Sequence, residues 1–378
     1  MGPLDGINVL DLGGVLSVPY AATLLAELGA DVIKVESRDG DQLRGNTPRH
    51  RGMSAMYYNA NRGKRGIVLD LKSDEGRRVV HALISKSDVV MENWRPGVAE
   101  RLGLGLDDLR AQHPKLITAS VRGFGSVGPY AGQRVYDPII QAVSSMAATQ
   151  DEDTPQLVTN VLPDKLTSLS LTQGILAALV QRGRTGRGDH VEVTMLDTAI
   201  SFLWPDMMQE DTFVDAPRIG KVVRNTRVAQ ILRTGDGKWL ICTATTNPQW
   251  AAFCRAIGRP EWIEEYPELA DRRAALTSIN RRLTDMFQDS TREQVLKLFH
   301  GADIPCGPLN TVEEMLADPQ VQANGVIREV SRPDLGTVRE PAPHVRVGTG
   351  PWAPTRLGAP RLGEHTEEVL AELGLAGH

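Results

Sequence analysis

Cysteine is scarce in this sequence, and no spacing typical of a metal site occurs. The 378 residues include three cysteines, Cys242, Cys254 and Cys306, and eight histidines. The cysteines form no CxxC pair and the histidines form no HExxH motif, so the usual zinc and redox signatures are absent. We therefore expect no metal site. Scattered cysteines without a pairing pattern favour a reducing, cytoplasmic compartment.

Long apolar runs and a basic leader are also missing. The chain begins MGPLDGINVLDL, with acidic residues where a signal peptide carries basic ones. No apolar run reaches the roughly 18 residues that a membrane-spanning helix needs. The formal net charge of -5 gives no reason to expect nucleic acid or a membrane surface as a partner. We expect an unprocessed, soluble protein.

Alternating strand and helix patterns occupy the first half of the chain. Strands are predicted at residues 7–12, 31–36, 66–71, 88–93 and 116–121, and helices at residues 19–30, 74–86 and 106–112. Repetition of this kind implies right-handed crossovers and a mostly parallel sheet with helices on both faces. The sequence therefore predicts an α/β fold.

The pattern changes in the second half, where two domain boundaries are predicted. We expect a large domain at residues 1–215 and a smaller α+β domain at residues 216–325, with a strand pair around a GDGK turn. Residues 326–378 are rich in proline and glycine and end in a helix. A chain of this length is expected to form two or three domains.

Glycine motifs for nucleotides are absent from the loop after the first strand. The loop reads GGVLSVP, which contains neither GxGxxG nor a Walker phosphate motif. This absence removes the main sequence support for nicotinamide chemistry. Ligands of parallel α/β sheets bind beyond the carboxyl ends of the strands, so the other loops there are the candidates for a site.

Cations are concentrated between Arg38 and Arg65, in a protein that is acidic overall. The loop is either a solvated surface or an anion site. The segment NRGKRG favours an anion, since its glycines let backbone amides approach while Lys64 and Arg65 supply charge. In the segment ENWRPG, Trp94 and Arg95 either pack against a planar base or close the edge of the core.

Asp164 precedes a long helical pattern that ends near Arg182. Apolar residues recur three or four positions apart there, which predicts an amphipathic helix. Aspartate is among the best N-cap residues, so the spacing alone favours a helix cap. A role in chemistry needs further evidence.

Several segments together resemble the family III CoA-transferases, which include formyl-CoA transferase, carnitine CoA-transferases and α-methylacyl-CoA racemases. The segments are, in order, PLDGINVLDL, LGADVIKVE, NRGKRGIVLDLKSDEG, DVVMENWRPG, TGRGDHVEVTMLD and PRLGEHTEEVLAELG. The resemblance implies a Rossmann-like large domain built from both ends of the chain, so that residues 326–378 return to it. It also implies a homodimer in which two ring-shaped subunits are interlocked.

The resemblance also implies roles for particular residues. Asp164 corresponds to the nucleophile of the family, and Tyr136 lies at a position that decides the chemistry. The residues implied to bind coenzyme A are Val15, Leu16, Ser17, Arg38, Leu69, Lys72, Asn93, Trp94, Arg101 and Arg122. Coenzyme A and acyl-CoA would then be substrates together with a carboxylic acid, and no tightly bound cofactor is expected. The aspartate attacks the thioester, and an aspartyl anhydride and an aspartyl-CoA thioester follow.

Two alternatives to CoA transfer remain, and two departures from the family pattern concern the substrate. A racemase of the family carries histidine where this chain has Tyr136, so acyl transfer is favoured over racemisation, although Asp137 is a candidate for the second acid/base group. A CoA-ester binder without activity would use Asp164 only as a cap. Leu16 stands where formyl-CoA transferase has glutamine, and Gly220 with KVVRNTR stands where it has a glycine run. Both differences argue against formate or oxalate, and the apolar Leu16 suits a larger or less polar acyl group.

Overall fold

The computed structural model describes residues 2–151, 154–217, 229–348 and 357–375. The chain divides into two compact units, Met1–Leu203 with Gly325–His378, and Trp204–Asn324. The domain boundaries predicted after residues 215 and 325 stay predictions. Gly220 and the KVVRNTR segment lie outside the described residues.

The strands are short and fall in both units. In chain order they are β1 Asn8–Asp11, β2 Asp31–Glu36, β3 Arg49–His50, β4 Met53–Ser54, β5 Lys64–Val68, β6 Val89–Glu92, β7 Ile117–Arg122, β8 His190–Thr194, β9 Ala229–Arg233, β10 Trp239–Thr243, β11 Cys306–Pro308, β12 Ile327–Arg332 and β13 Gly336–Pro341.

The helices alternate with these strands in the first half of the chain. They are α1 Ser17–Glu27, α2 Ala55–Asn61, α3 Asp74–Lys86, α4 Val98–Arg101, α5 Leu106–Gln112, α6 Asp137–Val143, α7 Met146–Gln150, α8 Leu162–Thr185, α9 Met195–Met207, α10 Asn247–Ala256, α11 Trp262–Glu265, α12 Leu269–Ala274, α13 Leu276–Met286, α14 Arg292–Gly301, α15 Val312–Ala317, α16 Pro319–Asn324 and α17 Thr366–Glu372. Short 3-10 turns lie at Gln42–Gly45 and Gln209–Asp211. In the described part of the chain, none of the helices combines the length and apolar character that a membrane crossing requires.

A six-stranded sheet in the order β5-β2-β1-β6-β7-β8 forms the centre of the first unit. All five strand pairs are parallel. β6 is buried along its whole length, as expected for a strand covered on both faces. The strand order reverses between β1 and β6, so their carboxyl ends diverge into loops on opposite sides. The predicted α/β fold with a parallel sheet is confirmed.

Local sequence explains why α3 begins and ends where it does. Ser73 caps the helix by accepting a hydrogen bond from the Gly76 amide, and Asp74 follows in the first turn. Lys86 lies in the last turn, where it interacts favourably with the helix dipole. The buried residues Val79, Val80, Leu83 and Ile84 form one stripe that packs on the sheet. The prediction for this helix, residues 74–86, is confirmed.

The last described segments of the chain belong to the first unit. β12 and β13 form a hairpin, and its buried Arg332–Glu340 ion pair contacts the hydroxyl of Tyr58 in α2. α17 lies beside β5, where Glu368 and Glu372 are salt-bridged to the guanidinium of Arg65. These contacts join the C-terminal segment to the edge of the sheet.

An antiparallel sheet in the order β11-β10-β9 lies in the second unit together with helices α10 to α16. β9 and β10 flank the GDGK turn, as predicted. Trp250, Trp262, Phe253 and Phe299 fill the core beneath the sheet. All three cysteines of the chain are free, although Cys242 lies directly opposite a second cysteine across β10 and β11.

Candidate active site

A cleft of about 710 Å³ opens at the carboxyl ends of the parallel strands. Its walls are the loops that follow β1, β2, β5, β6 and β7, together with the start of α8. The cleft therefore lies at the point where the strand order reverses, as is usual for ligand sites in open α/β sheets.

Ten of the twelve residues selected from the sequence line this cleft. They are Val15, Leu16, Ser17, Leu69, Lys72, Asn93, Trp94, Arg122, Tyr136 and Asp164. Arg38 and Arg101 are exposed residues of the same unit and are not among those that line it. The structure thus brings together segments that lie up to 149 positions apart in the sequence, between Val15 and Asp164.

The position of Asp164 in its helix differs from the predicted cap. The N-cap of α8 is Val161, and Asp164 lies inside the first turn. Its Oδ1 accepts a hydrogen bond from the hydroxyl of Ser17, the first residue of α1. The interpretation of Asp164 as a helix cap is therefore wrong, because its carboxylate points toward α1 and the cleft.

Asp137 serves the first turn of α8 in place of a local cap. Its buried carboxylate accepts a hydrogen bond from the Asp164 amide at 3.1 Å through Oδ2 and from Gln141 Nε2 at 2.7 Å through Oδ1. A negative charge at a helix N-terminus is favourable. The Asp164 amide is consequently occupied, and it is not available to stabilise charge on a substrate.

Burial raises the pKa of the Asp164 carboxyl to about 6. Desolvation is the largest cause, and the negative charge of Asp137 acts in the same direction. The hydrogen bond from Ser17 opposes both, because it stabilises the ionised form. Asp164 is thus poorly solvated and still ionised at neutral pH, which suits a nucleophile.

Two cations expected to bind an anion are used inside the protein instead. The Nζ of Lys64 is fully buried and lies 2.8 Å from Asp11 Oδ2. Arg65 is paired with Asp31, Glu368 and Glu372. The anion site predicted at these two residues is wrong, since their charges are already compensated within the fold.

Other cations line the cleft without such compensation. Among the described residues, Lys72, Arg95 and Arg134 have exposed side chains with no ion-pair partner. Arg122 differs from them, because its guanidinium is 2.8 Å from the buried Glu92 carboxylate and also donates to the Trp94 carbonyl. Three free cations in one cleft form a suitable environment for phosphate groups.

Sequence reasoning did not select several other residues that line the cleft, among them Lys34, Asp41, Arg134 and Met195. Arg134 lies two positions before Tyr136 in a glycine-rich loop, and its charge was the available signal. Trp94 lines the cleft and packs at the edge of the core, so the two interpretations of this residue are compatible. Tyr136 precedes α6 and is 60% exposed at the mouth of the cleft.

The acidic and imidazole groups of the described segments provide no metal centre. No cluster of three or more His, Cys, Asp or Glu side chains that could hold an ion is found among them. The cleft presents a carboxylate, a hydroxyl, a phenol and several cations, and a thioester with phosphate groups is a substrate that these groups suit.

Comparisons with known proteins identify the family of this chain. The chain matches the family model of CoA-transferase family III over residues 4–366. It is 33% identical over 404 residues to a formyl-CoA:oxalate CoA-transferase of Rhodopseudomonas palustris, covering 99% of this chain and 94% of that protein. It is 36% identical over 387 residues to a succinate–glutarate CoA-transferase of Agrobacterium fabrum, covering 98% of this chain and 96% of that protein.

A solved structure has the same fold over nearly the whole chain. The crystal structure of a CAIB/BAIF family protein from Brucella suis aligns with a TM-score of 0.86 and 31% identity, covering 98% of this chain and 99% of that chain. The expectation of an enzyme of acyl-CoA metabolism is confirmed by the family and by the named relatives. The chain belongs to the family III CoA-transferases.

Proposed function

We propose that this CoA-transferase uses Asp164 as its covalent nucleophile. The observation that carries the proposal is the position of the carboxylate, which lies at the cleft, is released from helix capping and is held by the hydroxyl of Ser17. A carboxylate is the group that this reaction requires, because it can form both an anhydride and a thioester with coenzyme A.

The first half of the proposed reaction removes the donor acid. An Asp164 oxygen attacks the carbonyl carbon of the acyl-CoA, the carbon–sulfur bond breaks, and the CoA thiolate leaves an acyl-aspartyl anhydride. The thiolate then attacks the aspartyl carbonyl of the anhydride. The donor acid departs as a carboxylate, and Asp164 becomes an aspartyl-CoA thioester.

The second half reverses these steps with another acid. The acceptor carboxylate attacks the aspartyl thioester and displaces the thiolate, which forms a new anhydride. The thiolate then attacks the acceptor's acyl carbon, so that the new acyl-CoA leaves and the Asp164 carboxylate is restored. No water or net proton is consumed over the complete cycle.

Residues around Asp164 have separate roles in this scheme. Ser17 orients one carboxylate oxygen and leaves the other for attack. Tyr136 lies at the mouth of the cleft, where its hydroxyl can donate a hydrogen bond to the bound thioester or to the departing thiolate. The pKa of about 6 keeps Asp164 ionised at neutral pH.

Coenzyme A is proposed to lie along the cationic wall of the cleft. Lys72, Arg95 and Arg134 are the free cations available to its phosphates. Trp94 offers a flat apolar surface for adenine. Arg38 and Arg101 remain predicted CoA ligands that act from outside the cleft lining. No tightly bound cofactor is proposed.

The acid substrates are proposed to be larger or less polar than oxalate. Leu16 supports this, because an apolar side chain stands at the cleft beside Val15, and both pack against the cluster of Met53 and Tyr57. Two relatives are named for acids larger than oxalate, one for succinyl-CoA with L-malate and one for succinate with glutarate, whereas a third is named for formyl-CoA with oxalate. Kinetics with oxalate, glutarate and a branched acid test the proposal, and a preference for oxalate contradicts it.

Racemisation of 2-methylacyl-CoA is the competing reaction within the family. It needs a second acid/base group, and Asp137 was the candidate. Both oxygens of the Asp137 carboxylate accept hydrogen bonds, from Gln141 and from the Asp164 amide, which supports acyl transfer instead. Deuterium entering the α-carbon of 2-methylacyl-CoA without exchange of the acyl group would favour the racemase.

Asp164→Asn provides the direct kinetic test of the nucleophile. The amide has nearly the same size and cannot form the anhydride, so CoA transfer from succinyl-CoA is expected to fall by about 10³-fold or more. Asp189→Asn is a matched control, since Asp189 is an exposed carboxylate beyond the other end of α8. If the Asp164 variant transfers CoA as fast as the control does, covalent catalysis by Asp164 is excluded.

We further propose a cytoplasmic, interlocked homodimer. Exposed apolar side chains on three helices support a second subunit, namely Ile139 and Val143 on α6, Leu169 and Val180 on α8, and Phe202 on α9. Free cysteines agree with a reducing compartment. Light scattering of the purified chain measures the mass, and a stable monomer at micromolar concentration would contradict the dimer.

A further inference from the structure

The loop between β1 and α1 is held by side chains at successive backbone groups. Gly13 donates its amide to Asp11 Oδ1 at 2.9 Å, and its carbonyl accepts from Lys34 Nζ at 2.7 Å. Gly14 exchanges two hydrogen bonds with the amide group of Asn93, at 3.0 and 2.9 Å. The conformation of this loop is therefore set by other parts of the fold.

The next residue, Val15, has a backbone conformation that its side chain disfavours. Its φ is 64°, in the left-handed region, where a β-branched residue is strained. The amide of Val15 donates to Asp41 Oδ2 at 3.1 Å. Such a conformation persists only where the surroundings impose it, and the hydrogen bond to Asp41 is the direct constraint on this residue.

Asp41 is itself fixed by buried charges. The same Oδ2 lies 3.2 Å from Lys34 Nζ, and Oδ1 accepts from the Leu43 amide at 2.9 Å. Lys34 is fully buried, and Asp11 pairs with Lys64 in the same cluster. Two acidic and two basic side chains compensate one another beneath the loop, away from water.

Val15 lies two residues before Ser17, which contacts the proposed nucleophile. Leu16 is the N-cap of α1, Ser17 is its first residue, and the Ser17 hydroxyl donates to Asp164. A change in the backbone at Val15 rotates the peptide that leads into Ser17. The hydrogen bond to Asp164 is therefore sensitive to a charge cluster that does not itself contact Asp164.

We propose that Asp41, supported by Lys34, is a positioning residue that holds Val15 in its left-handed conformation and so keeps Ser17 hydrogen-bonded to Asp164. The inference rests on the proposed role of Asp164 as nucleophile. It assigns the buried charges a purpose beyond stability. A cluster of buried ions is expensive to desolvate and is a weak source of stability, but it orients the groups around it.

The test measures how fast Asp164 becomes covalently modified. Succinyl-CoA is added, then hydroxylamine, and conversion of the Asp164 carboxyl to a hydroxamate is followed by mass spectrometry. Asp41→Asn keeps the size of the side chain but removes its charge. Its amide N–H faces both Lys34 and the Val15 amide in one orientation, and the Leu43 amide in the other. We expect the labelling rate to fall about tenfold or more, while the Kd for CoA by calorimetry changes by less than about threefold.

Repeating the Asp41→Asn substitution in a Val15→Gly variant separates a positioning role of Asp41 from a general loss of structure. Glycine adopts the left-handed conformation without strain. Relative to the Val15→Gly single variant, adding Asp41→Asn is therefore expected to slow labelling by about threefold or less. An equal loss in both backgrounds would overturn the proposal. Asp41→Glu, which keeps the charge but displaces the accepting oxygen, allows the same comparison if the asparagine variant does not fold.

Two controls distinguish failure of this inference from failure of the proposed function. Glu340→Gln changes a buried acid that pairs with Arg332 outside the cleft, and labelling per folded molecule is expected to stay at the wild-type rate. Asp164→Asn is expected to abolish hydroxamate formation on every residue of the protein. If a hydroxamate still forms elsewhere, the nucleophile is wrong; if none forms and Asp41→Asn labels at the wild-type rate, only the positioning role is wrong.

Discussion

Asp164→Asn is expected to stabilise the folded protein at neutral pH, although it removes an aspartate from the first turn of a helix. The pKa of Asp164 is raised from 3.8 in the unfolded chain to about 6 in the folded protein. Between these two values the folded state binds a proton that the unfolded state releases. Stability therefore falls as the pH rises through this window, and above about pH 6 the whole penalty is present.

The size of the effect follows from the shift. A difference of about 2 pKa units corresponds to roughly 3 kcal/mol, at 1.36 kcal/mol per unit. Asp164 is half-buried, so screening by solvent and the favourable helix dipole reduce this to about 1–2 kcal/mol. The carboxylate is thus a cost to the fold that a purely structural residue has no reason to impose.

Urea unfolding followed by tryptophan fluorescence, at about pH 5 and pH 7.5, measures the difference between variant and wild type. We expect the variant to be more stable at both values, with the larger gain at pH 7.5 because ionisation of Asp164 is then complete. A loss of stability at pH 7.5, or a gain that does not change with pH, would refute the assignment of a desolvated carboxylate at this position.

Three further predictions concern the neighbours of Asp164. Ser17→Ala removes the hydrogen bond that favours the ionised form of Asp164. The acid limb of the profile of kcat against pH is therefore expected to move from about pH 6 to about 1 pH unit higher. An unchanged limb would contradict the contact between Ser17 and Asp164. Asp137→Ala removes the acceptor of the Asp164 amide and one of the two acceptors of Gln141 Nε2, so the free energy of unfolding is expected to fall by about 1–2 kcal/mol. No loss in a urea titration would mean that Asp137 does not cap α8. Lys72→Gln is expected to raise the KM for acyl-CoA about threefold to tenfold at low salt, and less at high salt. Arg339→Gln, outside the cleft, is expected to leave the KM unchanged at both salt concentrations. Equal changes in KM for the two variants would argue against phosphate contacts by Lys72.

Much of the fold follows from patterns that act over short distances. α3 and α5 begin and end at the predicted residues, and β2 has the predicted bounds. The parallel arrangement followed from repeated strand–helix units, because such units cross over in one hand. These features need no knowledge of distant partners.

The roles of the charged residues could not be read in the same way. Lys64 and Arg65 stand in a cationic, glycine-containing segment, which is the usual appearance of an anion site. Lys64 pairs with Asp11, 53 positions away along the chain. Arg65 pairs with Asp31, Glu368 and Glu372, which lie 34, 303 and 307 positions away. Pairing over such distances depends on the sheet order, and a single sequence does not specify it.

The position of Asp164 illustrates the same limit. A proline and an aspartate before a helical run predict a cap. The cap position belongs to Val161, and the carboxylate that serves the helix comes from Asp137. Asp137, which is distant in the sequence, accepts the hydrogen bond from the first turn of α8 that a local cap would accept. The Asp164 carboxylate is therefore free to face the cleft.

Covalent trapping of Asp164 tests the central claim most directly. Wild-type protein is incubated with succinyl-CoA, treated with hydroxylamine, digested and analysed by mass spectrometry. An anhydride or a thioester at Asp164 is expected to yield a hydroxamate on that residue, and none without the acyl-CoA. If CoA transfer proceeds under the same conditions while the Asp164 peptide stays unmodified, the proposal of an aspartyl intermediate is contradicted.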